Sequence, residues 1–211
     1  MKKITLVGLV FMLLLSACHT SKITHSWKAQ EAPPKNYKKI LVLGFIRNAD
    51  RNIEEKMENH FVGDLQTLGY NAVSSLKEYG PKIFDKIDES EGIEKLKGSG
   101  FDAVVTIVLL KKERERKYIP PTYNNRIWSY RYDIYNRIYE PGYYVTSTKY
   151  YWESNFYDMT TQKLIYSVQT QSFNPDDAES LGHEYGKMIV KNMVNQDILK
   201  QQMVVNKVEG E

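Results

Sequence analysis

The sequence predicts an α/β fold: a mixed sheet with a β-α-β-α-β parallel core, then an antiparallel β-hairpin and a C-terminal helix, with the helices packed on the sheet. Three observations carry this. Two segments, Lys39–Ile46 (KILVLGFI) and Phe101–Leu110 (FDAVVTIVLL), are nearly unbroken apolar runs, the mark of strands buried on both faces. Between them, Ile53, Met57, Phe61, Leu65 and Leu68 recur at helical spacing. After residue 142 the period drops to two, as in a half-buried antiparallel sheet.

Taken in order, the first strand runs into a helix with Asp50 at its N-cap and Gly69 as its stop. Charged and amide residues, Glu54 and Glu55 among them, are expected on that helix's solvent face. Tyr70–Ser75 forms a weaker second strand. Asp88-x-x-Glu91 or Ser90 starts a short helix that ends at Gly98 or Gly100, and Phe101–Leu110 is the third strand. This order implies right-handed crossovers and a parallel core. The charged Lys111–Lys117 can carry the third strand past the sheet. Tyr143–Asp158 and Leu164–Phe173 then alternate as a hairpin, with Tyr144, Tyr150, Trp152 and Phe156 on one face and expected in the core. Asp176-x-x-Glu179 is expected to cap a last helix whose stripe is Ala178, Leu181, Tyr185, Met188, Ile189 and Met193.

The N-terminus has a separate logic. Lys2 and Lys3 precede a twelve-residue apolar run, Ile4–Leu15, and a small-residue stretch, Ser16-Ala17, leads into Cys18. Charged start, short apolar region and small residues before the cut form the secretory signal pattern. The run is too short to cross a hydrocarbon core of about 30 Å as a helix. Leu15-Ser16-Ala17-Cys18 also resembles the lipobox of bacterial lipoproteins. That resemblance implies diacylation of the Cys18 sulfur, cleavage before it and acylation of the new amino terminus. The other reading is an ordinary signal peptide with a chance cysteine after it. Cys18 is the chain's only cysteine, so no internal disulfide is possible. Several acyl chains make such an anchor stable where one is marginal. His19, not aspartate, follows Cys18; by resemblance to the sorting rule of enteric lipoproteins this favours the outer membrane, periplasmic side.

The expected organisation is a signal over residues 1–17, the lipidated cysteine and a tether over 18–36, one α/β domain over 37–200 and a loose tail over 201–211. Trp27 interrupts the tether and is expected to dock on the domain, which would end the flexible part near Thr24. The 211-residue chain keeps 194 residues after cleavage, enough for one real core. Loss of Lys2 and Lys3 lowers the formal charge from +3 to +1, which leaves no argument for nucleic acid as a partner.

The order of elements resembles the α/β domain shared by curli-secretion lipoproteins of the CsgG type, the N-terminal domain of TolB and the LpoB activators of peptidoglycan synthesis. It is closer still to a group of uncharacterised envelope lipoproteins. The residues carrying this are Trp27-Lys28, Lys38-Lys39-Ile40-Leu41-Val42-Leu43-Gly44, Phe101-Asp102-Ala103-Val104-Val105 and Tyr157-Asp158…Lys163-Leu164-Ile165-Tyr166, over most of residues 27–195. They are packing motifs, so the resemblance implies a fold more than a function. The chain lacks evident transmembrane β-hairpins of the curli-pore kind, and no propeller follows.

No phosphate loop, dinucleotide fingerprint, zinc-protease helix or nucleophile elbow occurs, so no enzyme and no cofactor are expected. His19, His25, His60 and His183 show no metal-ligand spacing, so no metal is expected. Two places remain as candidate sites. Arg47, Asn48 and Arg51 follow the carboxyl end of the first strand and enter a helix, where anionic ligands bind in open α/β sheets; the plain alternative is a cap with two solvated arginines. The second is the tyrosine-rich stretch: 12 of the 16 tyrosines lie between Tyr118 and Tyr166. Tyr118, Tyr123, Trp128, Tyr130, Tyr132 and Tyr135 offer flat apolar bodies with polar rims, suited to a partner surface, unless they only shield the sheet edge. The expected function is a non-enzymatic, lipid-anchored module that binds an envelope protein or the cell wall. The second reading is a receptor for a small anionic ligand at the strand end, and an unrecognised hydrolase is a remote third.

Overall fold

A computed structural model describes residues 20–30, 35–81, 83, 88–120 and 142–202. The signal segment, Cys18 and most of the tail lie outside these residues. The elements are β1 (Ser21–Lys28), β2 (Lys39–Phe45), a 3-10 turn (Asn48–Asp50), α1 (Arg51–Thr67), β3 (Asn71–Ser74), α2 (Ser75–Tyr79), α3 (Glu89–Gly98), β4 (Ala103–Ile119), β5 (Tyr143–Asp158), β6 (Lys163–Phe173) and α4 (Ala178–Asn195). They build one six-stranded sheet in the order β1-β6-β5-β4-β2-β3. β2 is parallel to both β3 and β4, and the remaining pairs are antiparallel. The mixed α/β architecture expected from the sequence is the one observed.

The sheet has two unequal covers. On one face α1 and α4 bury Met57, Phe61, Leu65, Leu181, Tyr185 and Ile189 against alternate residues of the strands, among them Ile40, Val42, Val105, Trp152 and Phe156. On the other face a smaller cluster of Leu41, Leu43, Leu96, Phe101, Val104 and Met159 sits under α3. β2 contributes to both, which is why its sequence does not alternate. Among the described residues, no helix is long and apolar enough to cross a membrane.

Four expectations need correction. Within the tether expected over 18–36, Ser21–Lys28 is not free: it is an edge strand paired with β6 from Ser21↔Ser172 to Lys28↔Tyr166. Its polar residues disguised it, because an edge strand with one open face needs few apolar side chains. Trp27 belongs to this strand and is 45% exposed, so the segment docks through its backbone ladder and not through the indole. The last helix is capped one residue later than expected, by Asp177, whose carboxylate accepts the Ser180 N–H while Ser180 Oγ accepts the Asp177 N–H. α1 is rotated relative to its apolar stripe. Glu54 and Glu58 are buried and Ile53 is only partly covered. Finally, Tyr144 is on the core-facing side of β5 but 57% exposed, because it lies six residues beyond Tyr150, past the reach of the helices.

The two acidic residues within the resembling motifs hold turns. Asp102 accepts the Lys38 and Lys39 N–H groups at 2.7 and 3.0 Å, fastening the start of β2 to the start of β4. Asp158 accepts the Thr160 and Thr161 N–H groups at 2.7 and 3.0 Å, and Lys35 Nζ lies 3.1 Å from its second oxygen.

α1 and α4 approach closely because α4 carries Gly182 and Gly186: a Cβ on Gly186 would come within 2.6 Å of Asp64 Oδ2 and 3.1 Å of Phe61 N. That closeness covers Asp64, whose Oδ2 has no hydrogen-bond partner among the described residues. Burial pushes its carboxyl above the usual range, against the weaker pull of His183, His60 and Lys187. A carboxyl raised in the folded state costs stability when ionised, and that cost vanishes below its unfolded pKa of about 3.9. Asp64→Asn should therefore raise the urea midpoint at pH 7, and the gap between variant and wild type should close as pH falls toward 4.

Candidate functional site

β2 and β3 are neighbours whose outgoing connections leave on opposite faces, α1 on one and α2-α3 on the other. A crevice therefore opens beyond their carboxyl ends, the usual ligand position in an open α/β sheet. It is a cleft of about 280 Å³, lined by Phe45, Arg47, Arg51, Glu54 and Leu76 and closed by Gly80-Pro81. Two of the three expected ligand-binding residues, Arg47 and Arg51, line it; Arg47 is exposed and Arg51 half-buried. Asn48 occupies the 3-10 turn beside them.

Asp50 stands at the N-cap of α1 as expected, yet its carboxylate makes no capping bond and instead pairs with Lys112 of β4. Lys112 also lies 5.2 Å above the Tyr150 ring.

Beneath the cleft is a feature the sequence did not advertise. Glu58 is fully buried on α1, and its two oxygens accept four hydrogen bonds. Oε1 takes the Gly44 N–H at 2.7 Å and Ser75 Oγ at 2.8 Å. Oε2 takes Ser74 Oγ and the Leu76 N–H at 3.1 Å. Donors to a buried carboxylate offset the large cost of desolvating it. Gly44 permits the approach: a Cβ there would lie 2.7 Å from Glu54 Cγ and 3.1 Å from Glu58 Oε1. The one available signal was Glu54 and Glu58 four residues apart, facing a strand with glycine at its second-to-last position and a later Ser74-Ser75 pair. Nothing local marks such residues as partners.

The expected partner residues fare unevenly. Tyr123, Trp128, Tyr130, Tyr132 and Tyr135 lie outside the described residues. Tyr118, one residue before the end of β4, is 47% exposed and packs its ring 5.1 Å from Tyr144. The fold also brings His60 and His183 together, ring centres 5.5 Å apart, with His60 Nε2 2.6 Å from Glu179 Oε1. No group of three or more metal-ligating side chains occurs among the described residues.

No family model and no curated protein matches the chain. Solved structures with partial likeness include the PelC dodecamer from Paraburkholderia phytofirmans, at 8% identity over 86% of this chain and 99% of that one, with a TM-score of 0.46. Lipoprotein GNA1162 from Neisseria meningitidis gives 15% identity over 75% and 96%, with a TM-score of 0.41. A minor lipoprotein from Acinetobacter baumannii gives 10% over 78% and 98%, with a TM-score of 0.30. Likeness at this level says nothing about activity, partner or ligand.

Each Glu58 oxygen takes one backbone N–H, and a backbone N–H cannot turn to accept. In Glu58→Gln the amide nitrogen must therefore face a donor whichever way it is placed. The variant should lose about 3 kcal/mol in urea unfolding. A loss below about 1 kcal/mol would mean the network contributes little.

Proposed function

We propose that this chain is a lipid-anchored envelope module, non-enzymatic, held at the periplasmic side of the outer membrane and binding another envelope protein or the cell wall. The observation that carries it is the N-terminal pattern: a charged start, the short apolar run Ile4–Leu15 and the small residues before Cys18, the only cysteine. The fold agrees with an anchor rather than a long leash, because β1 begins at Ser21 and is tied down at once. Thr20 Oγ1 donates to Glu184 Oε2 at 2.8 Å, and Ser21 Oγ lies 2.8 Å from Ser172 Oγ. The Tyr-rich stretch supplies the partner surface in this reading.

Cells fed labelled palmitate should incorporate it into the wild-type chain and not into Cys18→Ala; a labelled Cys18→Ala protein would sink the anchor. For the partner, in-cell crosslinking should capture an envelope component that is lost when residues 121–141 are replaced by a short Gly-Ser turn. Identical capture by both chains would remove residues 121–141 from the account.

A second reading is favoured by the cleft beside Arg47 and Arg51, which suits a small anionic ligand. Nucleotides and sugar phosphates, screened by thermal shift, should then raise the melting temperature of the wild type and not of an Arg47→Ala/Arg51→Ala chain. An unshifted wild type across the panel ends this reading.

A further inference from the structure

β4 and β5 continue together beyond the rest of the sheet. β2 leaves β4 at Val108, β6 leaves β5 at Lys149, and the ladder continues as two strands from Arg114↔Thr148 to Ile119↔Tyr143. This two-stranded arm projects from the end of the sheet where β1 begins, since Ser21, Ser172, Tyr150 and Lys112 lie at one level across β1, β6, β5 and β4. From that level the arm reaches Tyr143, seven residues on, about 24 Å away at the rise of an antiparallel strand. Cys18 is only three residues before Ser21 and can reach about 10 Å in the same direction. The lateral offset between β1 and β5 is two strand spacings, about 10 Å. An anchored domain standing on this end therefore meets the lipid with its arm first.

The arm's chemistry suits that meeting. Of the eight large apolar side chains exposed among the described residues, four (Tyr118, Tyr143, Tyr144 and Val145) lie at its end. On the face bearing Tyr118 and Tyr144, β4 places Lys112, Arg114 and Arg116 in a row with no acidic residue between them. The Arg116 guanidinium lies 4.0 Å from the Tyr144 ring centre. The opposite face is balanced by Lys111–Glu113 and Lys149–Glu115 pairs. Tyrosines settle at the headgroup level of a bilayer, and a basic row attracts its anionic lipids.

We infer that the β4-β5 arm is a membrane-docking element whose Tyr118, Tyr143 and Tyr144 enter the interface of an anionic bilayer while Arg114 and Arg116 engage lipid phosphates. This rests on the lipid anchor proposed above. The test uses the full lipidated chain in vesicles of phosphatidylethanolamine and phosphatidylglycerol. Because Cys18 is blocked by lipid, a Val145→Cys chain carries one free thiol for an environment-sensitive fluorophore, with Lys163→Cys, at the opposite end of the sheet, as the reference. Spin-labelled lipids should quench the label at position 145 at least threefold more than at 163. Adding Arg114→Glu and Arg116→Glu should reduce that quenching while the protein still floats with the vesicles. A floated protein whose position 145 is as open to aqueous iodide as position 163 overturns the arm and spares the anchor. Shielding that grows with protein density and comes without lipid quenching assigns the arm to a second copy and also overturns it. Failure to float overturns the anchor, and the inference with it.

Discussion

Glu58 is the point on which the sheet's parallel half depends. A carboxylate with no exposed surface sits on α1 and gathers the end of β2, the end of β3 and the first residues of α2 through Gly44, Ser74, Ser75 and Leu76. Apolar packing alone fixes which face of α1 turns inward only loosely. Four directed hydrogen bonds fix its rotation and its height along β2, because a turn of the helix in either direction would leave a buried charge without donors. The rotation brings Glu54 inward and leaves Ile53 only partly covered. It also sets the mouth of the cleft, since Glu54 and Arg51 lie one and two turns before Glu58 on the same helix.

The parts of this fold that were legible in the sequence are those with strong periodicity. β2 and β4 announce themselves because strands buried on both faces tolerate little but apolar residues. α4 is legible because Leu181, Tyr185, Ile189 and Met193 form an undiluted stripe. The site was half legible. The position of Arg47 and Arg51 follows from topology, which the sequence order implies. Glu58 was not, because a helix pattern assigns glutamate to water unless its donors are known, and those donors come from 14 to 18 residues downstream or upstream. β1 was missed for a related reason: its partner, β6, is some 150 residues away, and its polar side chains carry no alternation that stands out from a linker.

Residues 21–28, as a strand and not a tether, change the physics of the proposed anchor. A free chain of 18 residues would leave the domain's orientation to chance. A strand that is hydrogen-bonded from Ser21 onward fixes which end of the sheet lies nearest Cys18. Side-chain bonds reinforce it at both ends of β1: Thr20 to Glu184 at the start, and Gln196 Nε2 to Ser26 Oγ at 2.7 Å near the finish. With Cys18 lipidated as proposed, orientation would pass from Ser21 onward to the core through a backbone ladder and α4.

β2 and β4 are parallel, so the cleft beyond β2 and the arm continuing β4 lie at the same end of the sheet as the start of β1. The Lys112–Asp50 pair joins them, linking the base of the arm to the turn that carries Asn48 and leads from Arg47 to Arg51. If the chain is anchored as proposed, a receptor for a freely diffusing anion gains nothing from opening its pocket toward the membrane, where anionic lipid lowers the local concentration of such ligands. A module that works at the membrane has reason to gather its basic and aromatic groups there. The opposite end, with the Asp158–Lys163 turn and the start of β2 held by Asp102, is a set of tight and well-satisfied turns. The asymmetry between a stapled far end and a basic, aromatic near end weighs toward the proposed binding module, acting close to the proposed anchor.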